Sequence, residues 1–509
     1  MPDIILCTIN ARYIHASLGL RYLYANMQNL QSITEIHEFT TDQRAEDIGE
    51  KLLLRKPKII GFGVYIWNVD ITTDIIRIIK SVAPETTIII GGPEVSFEQH
   101  DQSLIQWADY TIQGQADLAF KDLCQEIYDG SADQKFITPI PFKLNEIESP
   151  YAHYSDDDIH NRVLYVEASR GCPFKCEFCL SSLDKTAVAF DIDNFLLDLK
   201  RLLDRGARQF KFVDRTFNLK ISSSKKILNF FLEHIDNNLE LHFELIPDRL
   251  PEDLKDLITQ FPAGSLQFEI GIQSFNPNVQ KIISRKQNHQ ATCDNISWIV
   301  QNSHAHIHAD LIFGLPSETL DSCAAGFDLL YSLQPHEIQV GILKRLRGTP
   351  ITRHTQPYQM QYMKTAPYRV LQTNTISFVD MQRLVRFSRY WDLVANSGRF
   401  PHTLPILLNT SPFTNFMLLS DWLYETTAQT HRISLPNLFV YLYEFLLINK
   451  ANNTILEERL LADYSHNKLK GRPSFMTTKL IRSERQSTSF ARQNRHQKPT
   501  KTTVADLEN

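Results

Sequence analysis

The segment Glu167-Ala-Ser-Arg-Gly-Cys172-Pro-Phe-Lys-Cys176-Glu-Phe-Cys179 carries three cysteines at C-x3-C-x2-C spacing. Thiolates so spaced converge on one small volume, and soft sulfur ligands suit zinc or iron–sulfur chemistry. A structural zinc site normally closes with four ligands. Neither His153 nor His160 offers a paired pattern that would supply the fourth. Iron–sulfur clusters also usually take four cysteines. A cubane held by three leaves one iron open to bind another molecule. The spacing is compatible with an open [4Fe–4S] cluster on Cys172, Cys176 and Cys179, with a zinc knuckle or three buried thiols as the plainer readings. Gly171 permits a tight turn before the first cysteine, and Phe178 precedes the last. Cys7, Cys124, Cys293 and Cys323 stand alone and read as small buried apolar residues. Seven cysteines with three in one loop are not a disulfide framework and suit a reducing cytoplasm.

Other residues with chemical potential sit where apolar runs end. Gly63-Val64-Tyr65 and Gly91-Gly92-Pro93-Glu94 each close such a run, and glycine there lets a ligand approach the backbone. Asp214-Arg215-Thr216-Phe217-Asn218 ends another. Glu269 lies inside an apolar run, with Gln273 just beyond it. A charge within an apolar strand is costly unless it is paired or aimed into a polar cavity. Asp214 and Glu269 thus read as site residues, with a strand-tying salt bridge as the alternative for each. His15 is a loop histidine or a candidate metal ligand.

The elements that must position these residues follow from hydrophobic period. Strands are predicted over 4–8, 33–39, 59–65, 87–90 and 110–112. Between them Ile71, Ile75, Ile76, Ile79 and Val82 recur with helical spacing, with Asp70 as the expected N-cap and Pro84 as the stop. Strands alternating with helices imply a parallel sheet covered on both faces, whose ligands bind beyond the strands' carboxyl ends. Loops 10–17, 63–68 and 91–96 belong to that edge. Six more strands are predicted over 163–168, 210–213, 239–245, 266–271, 307–313 and 337–343. Asp191 caps and Gly206 ends the helix between the first two. Six strand–helix units suggest three-quarters of an eight-fold barrel, with chemistry at the mouth where the cysteine loop lies. The expected division is 1–150, a doubly wound α/β domain; 151–350, a partial (β/α)6 barrel; 351–480, a helical domain whose aromatics form its core; and 481–509, a polar, basic, disordered tail.

Composition sets outer bounds. A hydrophobic content of 43% and a charged content of 22% describe an ordinary globular chain of 509 residues. The net charge of -5 argues against broad nucleic-acid binding. No apolar run is long enough for a membrane span, and residues 1–9 read as a first strand and not a signal peptide.

The cysteine loop and the barrel strings resemble the radical S-adenosylmethionine (SAM) enzymes, in their cobalamin-dependent branch. The resemblance covers residues 3–350. It implies that the open iron chelates SAM, and that reduction yields a 5′-deoxyadenosyl radical. It implies that Glu269 binds the SAM ribose, with Gln273 nearby, and that Asp214, Arg215 and Asn218 surround the methionine end of SAM or the substrate. The usual Gly-Gly-Glu after the second barrel strand is replaced by Asp214-Arg215-Thr216. The first domain is similar to flavodoxin-like cobalamin-binding domains. By that resemblance Gly63, Val64, Tyr65, Gly91 and Gly92 line the corrin and nucleotide tail. The D-x-H-x-x-G motif whose histidine ligates cobalt is absent, since His15 lacks an Asp two residues before it and Gly19 is displaced by one. Cobalamin without a protein ligand is the reading this favours. A degenerate or FMN-like doubly wound domain is the alternative.

These resemblances imply a methyltransferase acting on an unactivated carbon, supplied with electrons by an external donor such as flavodoxin or ferredoxin, on a substrate the sequence does not name. The runner-up is a radical SAM RNA methylthiotransferase-like enzyme. That class carries a second cluster on cysteines of the first domain, where this chain has only Cys7 and Cys124. A non-enzymatic cobalamin or redox sensor is the third reading, which the intact cysteines and Glu269 oppose.

Overall fold

The computed structural model of the chain describes residues 2–236, 238–449 and 453–470. Two compact units form. The first holds the described residues up to Glu244 with Lys344–Thr355 and Tyr362–Arg369, and the second holds Leu245–Leu343, Gln356–Gln361 and the described residues from Val370 onward.

The first unit opens with a parallel sheet of strands β1 (Ile4–Asn10), β2 (Thr34–Thr40), β3 (Ile59–Gly63), β4 (Thr87–Gly91), β5 (Tyr110–Ile112) and β6 (Phe136–Ile137), in the order β2-β1-β3-β4-β5-β6. Every residue of β1 is buried, because a central parallel strand is covered on both faces. Ile5, Cys7 and Ile9 enter one core cluster, and Ile4 and Leu6 enter another, as the two-residue strand period requires. The order reverses at β1, so a crevice opens beyond the carboxyl ends of β1 and β3. Helix Val69–Val82 buries Ile75, Ile76 and Ile79. Its N-cap is Asn68 and not the expected Asp70, which lies in the first turn. The Asn68 side chain accepts from Tyr65 N (2.8 Å) and donates to Ile9 O (3.0 Å) and Gly63 O (3.1 Å), tying two loops of the crevice together.

Strand β7 (Leu164–Val166) is shorter than the predicted 163–168. The chain bends, and β8 (Ser169–Arg170) pairs antiparallel with β9 (Val188–Ala189), framing the cysteine loop. Strands of two residues carry no periodic signal, so neither this hairpin nor β6 was expected. β10 (Gln209–Phe212) and β11 (Glu240–Leu245) complete the strands of the first unit, running parallel beside β7 in the order β7-β10-β11. Asp191 caps helix Ile192–Asp204 at Asn194 N (2.9 Å), and Gly206 follows its end at a φ of +102°, as expected.

The second unit contributes β12 (Leu266–Gln273), β13 (His306–Phe313) and β14 (Glu337–Ile342), parallel in that order. The fold class is therefore α/β, each unit carrying three of the parallel strands that follow the first sheet. Helices Phe378–Val394, Pro412–Thr427 and Leu435–Ile448 follow. Phe387, Trp391, Phe413 and Phe416 pack ring against ring, so these aromatics are core. No helix among the described residues is long and apolar enough to cross a membrane. The tail expected over 481–509 lies outside the described residues.

Candidate functional site

A cavity of about 690 Å³ lies in the first unit at the carboxyl ends of β1, β3 and β4. Gly63, Tyr65, Gly91 and Gly92 line it, as do His15 and the stretch Gly114–Asp117. Val64 is absent from the lining, because its side chain points into the core with no exposed surface. Its backbone explains Gly92 instead. Gly92 has a φ of +108°, and a Cβ there would stand 2.5 Å from Val64 O. Chain packing, more than ligand approach, requires that glycine. Gly91 differs, since its nearest neighbour to a Cβ is Ile112 O at 3.7 Å. Its missing side chain leaves room on the cavity side.

Buried charge holds the wall formed by residues 10–17. Glu38 meets Arg21 (2.9 Å) and Arg162 (2.8 Å), and Asp158 meets the same two arginines at 2.7 and 2.9 Å. All four side chains are only 4 to 9% exposed. Glu38 also accepts from Ser17 N (2.6 Å) and Asn10 Nδ2 (2.9 Å), and Arg162 Nε donates to Tyr13 O (2.7 Å). Burial pushes the Glu38 carboxyl up, but Arg21 and Arg162 bring it below the usual range. The half-buried His15 places Nδ1 2.8 Å from the Tyr165 hydroxyl. Burial, then Lys211, Arg12 and Arg162, lower its pKa, so the imidazole is neutral.

Tyr165, Glu167 and Arg170 line the same cavity from the root of the cysteine loop, and Arg215 lines it after β10. Arg170 bridges Glu167 (2.7 Å) and Asp117 (3.1 Å), so the loop after β5 is joined to the segment leading into the cysteines. Asp214 is buried beneath that segment. It accepts from Ala168 N (2.9 Å) and Ser169 Oγ (2.5 Å), and burial pushes its carboxyl up to about 7. Its carboxylate holds backbone in place there. Arg215 pairs with Glu244 at 2.6 Å.

Cys172 and Cys176 are buried and Cys179 is half-buried; all seven cysteines are free thiols. Hydrogen bonds to backbone groups shape the loop. Cys172 N donates to Asp184 O (3.0 Å), and Ser182 Oγ reaches the carbonyls of Cys176 (2.9 Å) and Cys179 (2.7 Å). Gly171 turns at a φ of +93°, and a Cβ there would meet Thr186 O at 2.6 Å. Burial raises the Cys172 pKa, and Cys179 and Cys176 raise it further, so both sulfurs lie within electrostatic reach of Cys172. An all-thiol set of this kind fits an iron–sulfur cluster.

In the second unit, Glu269 sits half-buried on β12 beside His308 of β13. The register slips between Gly271 and Gln273, and Gln273 adopts a φ of +73°. Non-glycine residues so strained are typical of functional sites. His308 and Asp310, 3.7 Å apart, share this polar face. Neither was singled out as a site residue from sequence. The alternation in His306–Phe313 was the available signal, as it was for Lys211 and His242 on β10 and β11. Glu38, Arg162 and Glu177 carried no signal, since only the fold pairs them.

Comparison with known proteins agrees with this arrangement. Family models for a B12 binding domain match residues 4–124, for the radical SAM superfamily residues 166–330, and for a protein of unknown function (DUF4080) residues 356–509. An uncharacterized methyltransferase, PH0819 of Pyrococcus horikoshii, is 22% identical over 65% of this chain and 76% of its own length. The cobalamin-dependent radical SAM methyltransferase TokK of Streptomyces tokunonensis is 22% identical over 62% of this chain, which spans about half (51%) of TokK. The radical SAM methyltransferase TsrM of Kitasatospora setae, solved with cobalamin and a [4Fe–4S] cluster bound, superposes with a TM-score of 0.59 at 15% identity, over 92% of this chain and 100% of that one. At such identity the superposition speaks for the fold. With both domain models matched in the order the two sheets follow, the chain carries a B12-binding domain and then a radical SAM domain, and its cofactors are a [4Fe–4S] cluster, SAM and cobalamin.

Proposed function

We propose that the protein is a cobalamin-dependent methyltransferase acting on an unactivated carbon. One observation carries this reading: a single cavity is lined by the glycine loops of the first sheet, by Glu167 and Arg170 at the root of the cysteine loop and by Arg215 after β10. When bound, the cluster with SAM supplies one-electron chemistry and cobalamin supplies a methyl carrier. Cys172, Cys176 and Cys179 hold the cluster. Gly63, Tyr65, Gly91 and Gly92 border the corrin. Glu269 and Gln273 serve SAM, and an external donor such as flavodoxin or ferredoxin supplies electrons. Cobalt takes no protein ligand in this reading, because the D-x-H-x-x-G motif is absent: His15 has Tyr13 and not Asp two residues before it. The methylthiotransferase alternative loses ground, since Cys7 and Cys124 lie in different core clusters and cannot share a second iron–sulfur centre.

The test is anaerobic purification with metal and cofactor analysis. Iron, sulfide and cobalamin are expected, with reductive cleavage of SAM to 5′-deoxyadenosine and transfer of a labelled methyl group. Cys172→Ala/Cys176→Ala/Cys179→Ala loses iron and SAM cleavage. Stoichiometric zinc without iron would overturn the reading. Glu269→Ala weakens SAM binding by about 1–3 kcal/mol, the loss expected for hydrogen bonds at a charged group. Unchanged SAM affinity would leave Glu269 as a strand-tying residue.

A further inference from the structure

Residues Lys344–Thr355 pack within the first unit as a strap whose two ends grip two different loops. At one end Arg345 forms a two-pronged pair with Glu98, at 3.0 and 2.9 Å. Arg347 Nε meets Glu94 Oε1 at 2.8 Å, and the Tyr368 hydroxyl donates to the same oxygen at 2.6 Å. Glu94 is 4% exposed and Arg347 9%. Gly348 N donates to Glu98 Oε1 (3.2 Å), and the Phe97 ring lies so close to Gly348 that a Cβ has no room. Glu94 stands two residues after Gly92, so this grip holds the loop that borders the cavity.

The other end holds the cysteine loop. Glu177 stands between Cys176 and Cys179, and its side chain is 3% exposed. His354 Nε2 meets its Oε2 at 2.7 Å, Arg353 pairs with its Oε1, and Ile351 N donates to its carbonyl at 2.9 Å. A buried carboxylate so paired fixes its own backbone, since moving it strands a charge. Only three residue steps separate Gly348 from Ile351, a span of at most ~11 Å. Those steps include the start of the helical turn Pro350–His354, which is short and stiff.

Resting on the function proposed above, we infer that this strap couples the two cofactor sites, with Glu177 as the residue that positions the cluster loop. The coupling is reciprocal: what orders the Gly91–Glu98 loop orders the cysteine loop, and the reverse. A purely structural ion pair at either end would lower stability and leave the two sites independent.

The test titrates hydroxocobalamin by absorption into reconstituted wild type, the triple cysteine variant, Arg353→Ala/His354→Ala and Arg345→Ala. Cluster-loaded wild type is expected to bind at least about fivefold more tightly than the triple variant. Arg353→Ala/His354→Ala keeps its iron but loses that advantage. Arg345→Ala, which touches no part of the cysteine loop, loses it too, and keeps the test standing if the double variant fails to retain iron. In wild type the paramagnetic resonance signal of the reduced cluster shifts when cobalamin binds; in both strap variants it does not. Strap variants that keep the advantage and the shift would overturn the inference, as would wild type showing neither. Wild type that binds no cobalamin at all would remove the cavity reading and this inference with it.

Discussion

Gly91 and Gly92 are adjacent, yet a side chain meets different surroundings at each. At Gly92 a Cβ collides with Val64 O and the backbone sits at a φ of +108°, so Gly92→Ala is expected to destabilise the fold by ~1–3 kcal/mol. At Gly91 a Cβ makes only ordinary contact with Ile112, so Gly91→Phe is expected to abolish cobalamin binding with a much smaller change in the urea midpoint. Equal stability losses at both positions would contradict this. Asp214 gives a pH signature. Its folded carboxyl holds a proton up to about 7, whereas an unfolded aspartate releases it near ~3.9. Within that window the folded state binds the extra proton, so this contribution to stability falls as pH rises, and it levels off above. Asp214→Asn is expected to flatten the urea-midpoint profile between pH values of about 4 and 7. An unchanged profile would show that Asp214 is ionised throughout.

At the scale of elements, the loop after β1 depends on charge buried between β2, helix Leu18–Ala25 and helix Asp156–Asn161. Glu38→Ala leaves Arg21 and Arg162 with Asp158 as their remaining buried carboxylate, and it frees Ser17 N and Asn10. Removing one member of such a network costs ~3–5 kcal/mol because the uncompensated charge stays buried. The expected result is a lowered denaturation midpoint together with weakened cobalamin binding, because Asn10, Ala11 and His15–Ser17 line the cavity. The intact Glu38 contribution is present at neutral pH and is lost as pH falls through its lowered folded pKa. An unfolding free energy within ~1 kcal/mol of wild type would show that water replaces the carboxylate.

For the whole molecule, ligand binding and stability are linked by mass action. Cobalamin at 100 times its Kd raises the stability of the unit that holds it by about 2.7 kcal/mol. The apparent Tm should therefore rise with cobalamin concentration in wild type and stay constant in Gly91→Phe. A rise of equal size in both would place the ligand outside this cavity.

Local sequence was sufficient wherever a short-range pattern carries the physics. The C-x3-C-x2-C spacing specified the thiol set, because ligands within eight residues share one loop whatever surrounds them. The five longer strands of the first sheet and all six barrel strands were readable, since burial on one or both faces imposes an apolar or alternating pattern. Asp191 and Gly206 were readable as caps for the same local reason. Long-range pairing was not. Glu177 is held by Arg353 and His354, Glu94 by Arg347 and Tyr368, and Glu38 by Arg162, each more than one hundred residues away in sequence. Charges at that separation carry no periodicity, so folding alone brings them together. Asp214 shows the same limit from the other side. Its position at a strand end was legible, but its two donors come from the bend of β7 into β8 and its raised pKa from burial. Local order named the ligands and the strands; burial across the fold decided which carboxylates hold the two loops in place.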